Sequence, residues 1–196
     1  MRNIVYVDGS VGVGKSTFIK VLKNSLEFLF SEKRERSKGS HFPMVTVLPE
    51  PLHRDWTSGI VNEIGYEKLL EFLIARKIVA INKWSSSIAS DGLQELETNV
   101  LIVERSLEGD RRVNRGYENF LEGKQIENRG EIVYRVFLRN VENKNEEQLR
   151  LNTMYNNLEI EMGDEAMRRI TRILRPKKMQ DYYIEAARVI DKILSI

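Results

Sequence analysis

Hydrophobic residues in this chain occur either in short unbroken runs or in longer stretches with a spacing of three or four residues. Ile4 to Val7 and Asn99 to Val103 are almost wholly apolar, which is typical of strands buried on both faces of a parallel sheet. Met44 to Leu48 is a third such run. Leu158 to Met162 alternates with glutamates and predicts a fourth strand, at a sheet edge.

Helical periodicity fills much of the chain between these runs. It predicts helices over 18–30, 66–88, 131–155 and 182–194, and a short basic helix over 168–175. The charged stretch SEKRERSKGSH reads as a surface loop, and Arg76, Lys77 and Asn82 are expected on an exposed helix face. Alternation of strands and helices predicts an α/β fold: a parallel sheet of four or five strands flanked by helices.

A glycine-rich motif stands between the first strand and the first helix. Gly9, Gly14, Lys15 and Ser16 fit the pattern G-x-x-x-x-G-K-[ST] of phosphate-binding loops. Glycines let backbone N–H groups turn toward a phosphate, and the helix N-terminus adds positive potential. The predicted phosphate and ATP contacts in this loop are Gly9, Ser10, Val11, Gly12, Val13, Gly14, Lys15, Ser16 and Thr17.

Acidic residues follow the second and third strands. Glu50 stands in Pro-Glu-Pro directly after Leu48, and Glu104 with Arg105 follows Val103. Ligands of parallel α/β sheets bind at the carboxyl ends of the strands, so we expect these side chains to lie close to a bound ligand. Glu104 and the Ser16 hydroxyl are the predicted Mg²⁺ ligands, while Arg105 can neutralise charge that develops on oxygen.

Arginines are concentrated near the end of the chain. Arg168, Arg169, Arg172 and Arg175 precede Pro176 at helical spacing, more cations than a helix end needs for its dipole. We expect an arginine-rich lid over about 166–180, in which Arg169, Arg172 and Arg175 hold phosphate charge and help exclude water. A solvated basic helix end is the alternative.

Composition limits the other possibilities. With 196 residues, 41% hydrophobic and 31% charged, the chain is expected to form one domain over 1–196. A net charge of +2 gives no support for binding a nucleic acid polymer or a membrane, and the absence of cysteine excludes disulfides and thiolate metal sites. No signal peptide or long apolar run is visible, so we expect a soluble, intracellular, cytoplasmic protein.

Four motifs in order resemble the deoxynucleoside kinase family, which has a P-loop kinase fold. They are GSVGVGKST, LPEP, VERSLEGDR and EAMRRITRILRP. The resemblance spans nearly the whole chain. It implies transfer of the γ-phosphate of ATP, with Mg²⁺, to the 5′-hydroxyl of a deoxynucleoside, and it implies a homodimer.

The resemblance also implies roles for individual residues. Glu50 corresponds to the general base, with Arg105 beside it and Lys15 on the phosphates. Asp110 and Arg111 correspond to residues near the nucleoside and its base. The nucleoside-binding set that the resemblance implies is Glu50, Trp56, Tyr66, Arg76, Arg105, Asp110 and Arg111.

Several positions depart from the family pattern. Residues 66–88 contain no glutamine to read the base, so Arg76 or Lys77 stands there or the register differs. Ile173 and Lys178 replace an arginine and a glutamate of the lid, and the fifth strand is expected to be missing or reduced to the last residues. A cation in place of the lid glutamate and of the base-reading glutamine suits an acceptor that already bears a phosphate. Two alternatives therefore stay open: a nucleoside monophosphate kinase such as thymidylate kinase, and a non-catalytic nucleotide-binding protein of this fold.

Overall fold

The fold was analysed in a computed structural model of the chain. It describes residues 2–9, 13–36, 44–50, 65–90, 98–107, 109, 132–138, 170–174 and 178–195. These residues form five strands and three helices. In chain order they are β1 (Arg2–Gly9), α1 (Lys15–Arg36), β2 (Val45–Leu48), α2 (Tyr66–Ser90), β3 (Asn99–Glu104), β4 (Ile132–Leu138), β5 (Ile170–Leu174) and α3 (Met179–Leu194).

All five strands run parallel in one sheet, in the order β2-β3-β1-β4-β5. Strand β1 is central, and its partners are β3 and β4. The register pairs Val7 with Glu104 and Gly9 with Leu138. The carboxyl ends of β1, β2 and β3 therefore lie along one edge, which brings the glycine-rich loop, Glu50 and Glu104 to the same place.

Helices cover both faces of the sheet, as the apolar strands require. Alternate side chains of each strand point to opposite faces, so β1 contributes Val5 and Val7 to one core cluster and Ile4 and Tyr6 to another. The first cluster includes Phe18, Leu22 and Leu26 of α1 with Ala186, Val189, Ile190 and Ile193 of α3. The second includes Ile81 and Trp84 of α2.

Most of the predicted elements are confirmed. The first three strands and the helices starting at the phosphate loop, at Tyr66 and near Tyr182 are all present. Helix α1 continues to Arg36, so the predicted loop beginning at residue 31 is wrong for 31–36. The reason is that Lys, Arg and Glu are good helix formers, so a polar composition alone does not end a helix.

Two predictions for the second half of the chain are wrong. Residues 132–138 form β4, beside β1 in the sheet, where a helix was predicted. Residues 170–174 form the edge strand β5, so the helix predicted over 168–175 is wrong for these five residues and Arg172 lies in a strand. A fifth strand is thus present, ahead of the last helix. Pairing with a neighbouring strand decided these segments, because their short apolar runs fit either periodicity.

The predicted strand over 158–162 lies outside the described residues. Within the described ranges, no helix is long and apolar enough to cross a membrane.

Candidate active site

The glycine-rich loop leaves β1 through a backbone conformation that a side chain would obstruct. Gly9 has a φ of 149°, and a Cβ there would lie 2.6 Å from the carbonyl oxygen of Leu138 on β4. The chain can leave the sheet beside β4 only because Gly9 has no side chain. Helix α1 then starts at Lys15, and Phe18 N donates to Gly14 O over 3.0 Å to close its first turn.

The last helix, α3, leaves no space for a side chain at Gly14. Its φ is 94°, and a Cβ at this position would collide with the hydroxyl of Tyr182 on α3. Tyr182 is partly buried, and desolvation, followed by the charge of Asp181, raises the pKa of its phenol. Helix α3 therefore packs directly against Gly14, and Tyr182 leaves no room for a side chain at that position.

Lys15 is buried, with 6% of its surface exposed, at the start of α1. Desolvation by this burial is the main cause that lowers the pKa of its ammonium group, and the positive charge of Arg105 adds to it. The carboxylates of Glu50, Glu104 and Asp8 act in the opposite direction. Lys15 is a desolvated cation at the head of the loop, where an anionic phosphate would replace lost solvation.

Ser16 and Glu104 lie together beyond the ends of β1 and β3. The Ser16 hydroxyl donates to Glu104 Oε1 over 3.2 Å. The described residues contain no group of three or more His, Cys, Asp or Glu side chains that could hold a metal ion. Mg²⁺ is commonly held by one or two protein oxygens together with the phosphates of a substrate. A hydroxyl and a carboxylate oxygen side by side fit that type of ion.

Glu50 is joined to Arg105 and to Glu104. Arg105 Nη2 lies 3.3 Å from Glu50 Oε2, and the side chains are 3% and 18% exposed. The Glu50 N–H donates to Glu104 Oε2 over 3.3 Å, so both oxygens of Glu104 are engaged, one by Glu50 and one by Ser16. These contacts bring the segments after β1, β2 and β3 together around one small volume.

The turn after β3 is held by two further side chains. Arg105 has a φ of 63°, a left-handed conformation that is unusual for a non-glycine residue. Lys77 Nζ donates to the Arg105 carbonyl oxygen over 3.1 Å. The Ser106 N–H donates to Asp8 Oδ1 over 2.8 Å. Both Lys77 and Asp8 are buried.

The described part of the predicted site thus comes together around five residues: Lys15, Ser16, Glu50, Glu104 and Arg105. The Val13 side chain belongs to the core, and Thr17 is exposed at the start of α1. Other predicted site residues lie outside the described residues, namely Ser10, Val11, Gly12, Trp56, Asp110, Arg111, Arg169 and Arg175.

Of the two cations predicted to be exposed on helix α2, one is exposed and the other is buried. Arg76 is exposed as predicted, and its guanidinium carbon lies 5.6 Å from the centre of the Phe72 ring. Its role in nucleoside binding stays a prediction, as does that of Tyr66, the first residue of α2. The prediction that Lys77 is exposed is wrong, because it is only 5% exposed and its ammonium binds the backbone of Arg105.

Asp8 and Tyr182 were not assigned to the site from the sequence, and Lys77 was considered only in place of the missing base-reading glutamine. Asp8 carries a sequence signal, because an acid at the end of a buried strand needs a partner. Lys77 also carries one, since it lies four residues after Leu73 and four before Ile81, on the apolar stripe of α2. Tyr182 carries no local signal, because only the packing of α3 brings it to Gly14.

Comparisons with known proteins found similarity in structure but not in sequence. The sequence matches no model of a known protein family and no curated protein. Thymidylate kinase from Ehrlichia chaffeensis matches with a TM-score of 0.56 and 12% identity, over 97% of this chain and 98% of that one. Thymidylate kinase from Candida albicans matches with a TM-score of 0.52 and 11% identity, over 97% of this chain and 92% of that one.

At these identities the likeness concerns the fold. It agrees with the parallel sheet and the flanking helices. It does not confirm the resemblance to deoxynucleoside kinases in particular. The chain has an α/β fold like that of the P-loop kinases.

Proposed function

We propose that this protein is an ATP-dependent phosphotransferase that acts on a deoxynucleoside, with Mg²⁺ bound to the donor. One observation carries the proposal: the carboxylate of Glu50, paired with a buried Arg105, stands at the same sheet edge as the buried Lys15. A carboxylate beside a phosphate site has a chemical use when the acceptor is a hydroxyl group, because a proton must leave that hydroxyl.

In this proposal the donor triphosphate binds at the glycine-rich loop. Lys15 contacts its outer phosphates, where an anion compensates the desolvated ammonium. Ser16 and Glu104 would hold Mg²⁺, which supplies neutralisation of phosphate charge when bound. The hydrogen bond between Ser16 and Glu104 places the hydroxyl oxygen next to a carboxylate oxygen.

The acceptor approaches from the side of Glu50. Its 5′-oxygen forms a bond to the γ-phosphorus while the bond from that phosphorus to the bridging oxygen of ADP breaks. Glu50 orients the hydroxyl and takes up its proton late in the step, for which an ordinary carboxylate suffices. Arg105 holds Glu50 in place and offsets negative charge near the transferred group.

The described residues of the site are balanced in charge, and a neutral acceptor would keep that balance. Among the described residues of the site, the carboxylates of Asp8, Glu50 and Glu104 are matched by the cations Lys15, Lys77 and Arg105. An acceptor with its own phosphate would bring two more negative charges close to Glu50. That approach is unfavourable unless further cations meet it.

A nucleoside monophosphate kinase is the second candidate. The fold likeness to two thymidylate kinases over nearly the whole chain favours it. In this case Arg105 would bind the acceptor phosphate, and Glu50 would orient the guanidinium. The guanidinium has five N–H donors, so it can pair with Glu50 through one nitrogen and with the phosphate through the others.

Release of ADP in the presence of ATP and magnesium tests these candidates. Deoxynucleosides and their 5′-monophosphates, each with all four bases, form the panel of acceptors. Turnover with deoxynucleosides supports the first candidate, and turnover only with monophosphates supports the second. Tight ATP binding without turnover on any acceptor would refute both and favour a non-catalytic nucleotide-binding protein.

A further inference from the structure

The peptide bond between Arg105 and Ser106 is held at both of its polar groups. Its carbonyl oxygen accepts from Lys77 Nζ over 3.1 Å, and its N–H donates to Asp8 Oδ1 over 2.8 Å. The two partners come from different elements, Lys77 from α2 and Asp8 from β1. Both are buried, so these charge-assisted bonds form out of contact with water and are stronger for it.

This peptide sets the direction of the Arg105 side chain. The Arg105 N–H still donates to Val7 O over 3.0 Å, in line with the sheet, while its φ of 63° turns the chain out of the strand. A non-glycine residue keeps such a conformation only where its surroundings hold it. Rotation of the following peptide would break the bonds to Lys77 and to Asp8 together.

Gly109 makes room for the arrangement. A Cβ at Gly109 would collide with Asp8 Oδ1, and Gly109 N donates to Ser106 Oγ over 3.0 Å. The carboxylate that accepts from Ser106 also attracts the Lys15 ammonium. Asp8 therefore interacts with both halves of the site, and Lys77 binds the turn that carries Arg105.

We infer that Lys77 is a positioning residue for the acceptor half of the site: through the Arg105–Ser106 peptide it holds the left-handed turn that directs the Arg105 guanidinium to Glu50. The inference rests on the proposed function for its kinetic consequence. It assigns Lys77 no contact with the base, in contrast to the role that the missing glutamine on α2 suggested. Lys77 acts on Arg105 through the backbone.

The kinetic test uses Lys77→Met, which keeps the length of the side chain and removes its donor, with Lys83→Met as the control. Lys83 is exposed on the same helix. We expect Lys77→Met to lower kcat/KM for the acceptor by about tenfold or more, and to leave KM for ATP within about twofold. Lys83→Met should change neither. If Lys77→Met does not fold, Lys77→Arg, which keeps a charged donor of different shape, takes its place. Lys77→Arg should lower kcat/KM for the acceptor by a smaller factor and leave KM for ATP within about twofold.

An Arg105→Ala background separates positioning from general stability. With no guanidinium to direct, Lys77→Met should add little to the loss of acceptor kcat/KM that Arg105→Ala causes alone. Full additivity of the two losses, or an equal rise of KM for ATP in Lys77→Met, would overturn the inference.

A hydrogen exchange measurement keeps this inference distinct from the proposed function. If no acceptor is phosphorylated by the unaltered protein, the proposed function fails, and the exchange rate of the Ser106 amide still decides the role of Lys77. Lys77→Met should speed that exchange by about tenfold or more and leave the Val5 amide in β1 unchanged. Equal rates at Ser106 in Lys77→Met and Lys83→Met would refute the inference.

Discussion

Ser16 and Glu104 share a hydrogen bond of 3.2 Å although they are 88 positions apart in the chain. The parallel pairing of β1 with β3 explains the contact, because Val7 and Glu104 are in register and Ser16 stands at the start of α1, just beyond the end of β1. The hydroxyl at the start of α1 and the acid at the end of β3 therefore meet at the carboxyl edge of the sheet. This pair is the basis for the first prediction.

Removal of the Ser16 hydroxyl should weaken the response to magnesium. We expect Ser16→Ala to lower turnover by about a hundredfold and to raise the magnesium concentration that gives half-maximal rate, because one of two adjacent oxygen ligands is lost. Ser16→Thr retains a hydroxyl and should keep most of the activity. The measurement is ADP release during a magnesium titration.

Ser31→Ala is the matched control for Ser16→Ala. Ser31 lies on the same helix, where its hydroxyl donates to Phe28 O, and it is exposed. An equal magnesium response in Ser16→Ala and Ser31→Ala would contradict a role for Ser16 in metal binding.

The lowered pKa of Lys15 predicts a specific pH dependence. Burial, and then the charge of Arg105, lowers the pKa, so in the free protein Lys15 loses its proton at a lower pH than an ordinary lysine does. Because the protonated form binds phosphate, kcat/KM for ATP should fall as pH rises through this lowered value. Bound triphosphate stabilises the ammonium, and so kcat should fall only at higher pH.

Lys15→Arg tests this assignment, because a guanidinium stays protonated across the range. The alkaline decrease in kcat/KM should be absent in this variant, and a decrease at the same pH would assign it to another group. Lys15→Ala should lower turnover by about a hundredfold or more, whereas Lys20→Ala, which removes an exposed lysine from the same helix, should not.

Replacement of the Glu50 carboxylate tests the general base. We expect Glu50→Gln to lower kcat by about a hundredfold or more while KM for ATP stays nearly constant, because an amide can orient a hydroxyl but cannot take its proton. Glu27→Gln, on the exposed face of α1, is the control and should behave like the unaltered protein. Near-full activity of Glu50→Gln would remove Glu50 from this role.

Gly14→Ala should destabilise the protein for two separable reasons. At a φ of 94° a side chain causes backbone strain of about 1–2 kcal/mol, and the new Cβ also collides with the hydroxyl of Tyr182. Gly65→Ala isolates the first effect, because Gly65 has a φ of 81° and no described residue lies within 4 Å of a Cβ there. Thermal or denaturant unfolding should therefore show a larger loss for Gly14→Ala.

Removal of the Tyr182 hydroxyl should relieve part of the second effect. The cost of Gly14→Ala is expected to be smaller in a Tyr182→Phe background than in the unaltered protein, while the cost of Gly65→Ala should be the same in both. Equal costs for Gly14→Ala in the two backgrounds would show that Tyr182 does not restrict the loop.

The sequence alone was sufficient to predict strand β1, helix α1 and the positions of Glu50 and Glu104 at the ends of strands. These features are local: an unbroken apolar run, glycines where side chains cannot fit, and polar residues immediately after. The ends of parallel strands share one edge, so the meeting of Lys15, Ser16, Glu50 and Glu104 could be predicted before any coordinates were known.

Residues 132–138 and 170–174 show why the prediction failed elsewhere. Their apolar positions fit a short strand or part of a helix equally well, and only pairing with β1 and with β4 decides between the two. The arginines near residue 172 suggested a helix because the spacing was considered without the sheet that this segment joins.

The sequence by itself determined that β1 is followed by glycines and then by helix α1, and which acids lie at the strand ends, because backbone sterics and apolar periodicity act over a few neighbouring residues. Tertiary structure alone decided that Lys77 is buried under the Arg105 turn, that Asp8 lies against Ser106 and that Tyr182 touches Gly14. Those contacts join elements far apart in the chain, and they depend on how helices and strands pack, which local sequence does not encode.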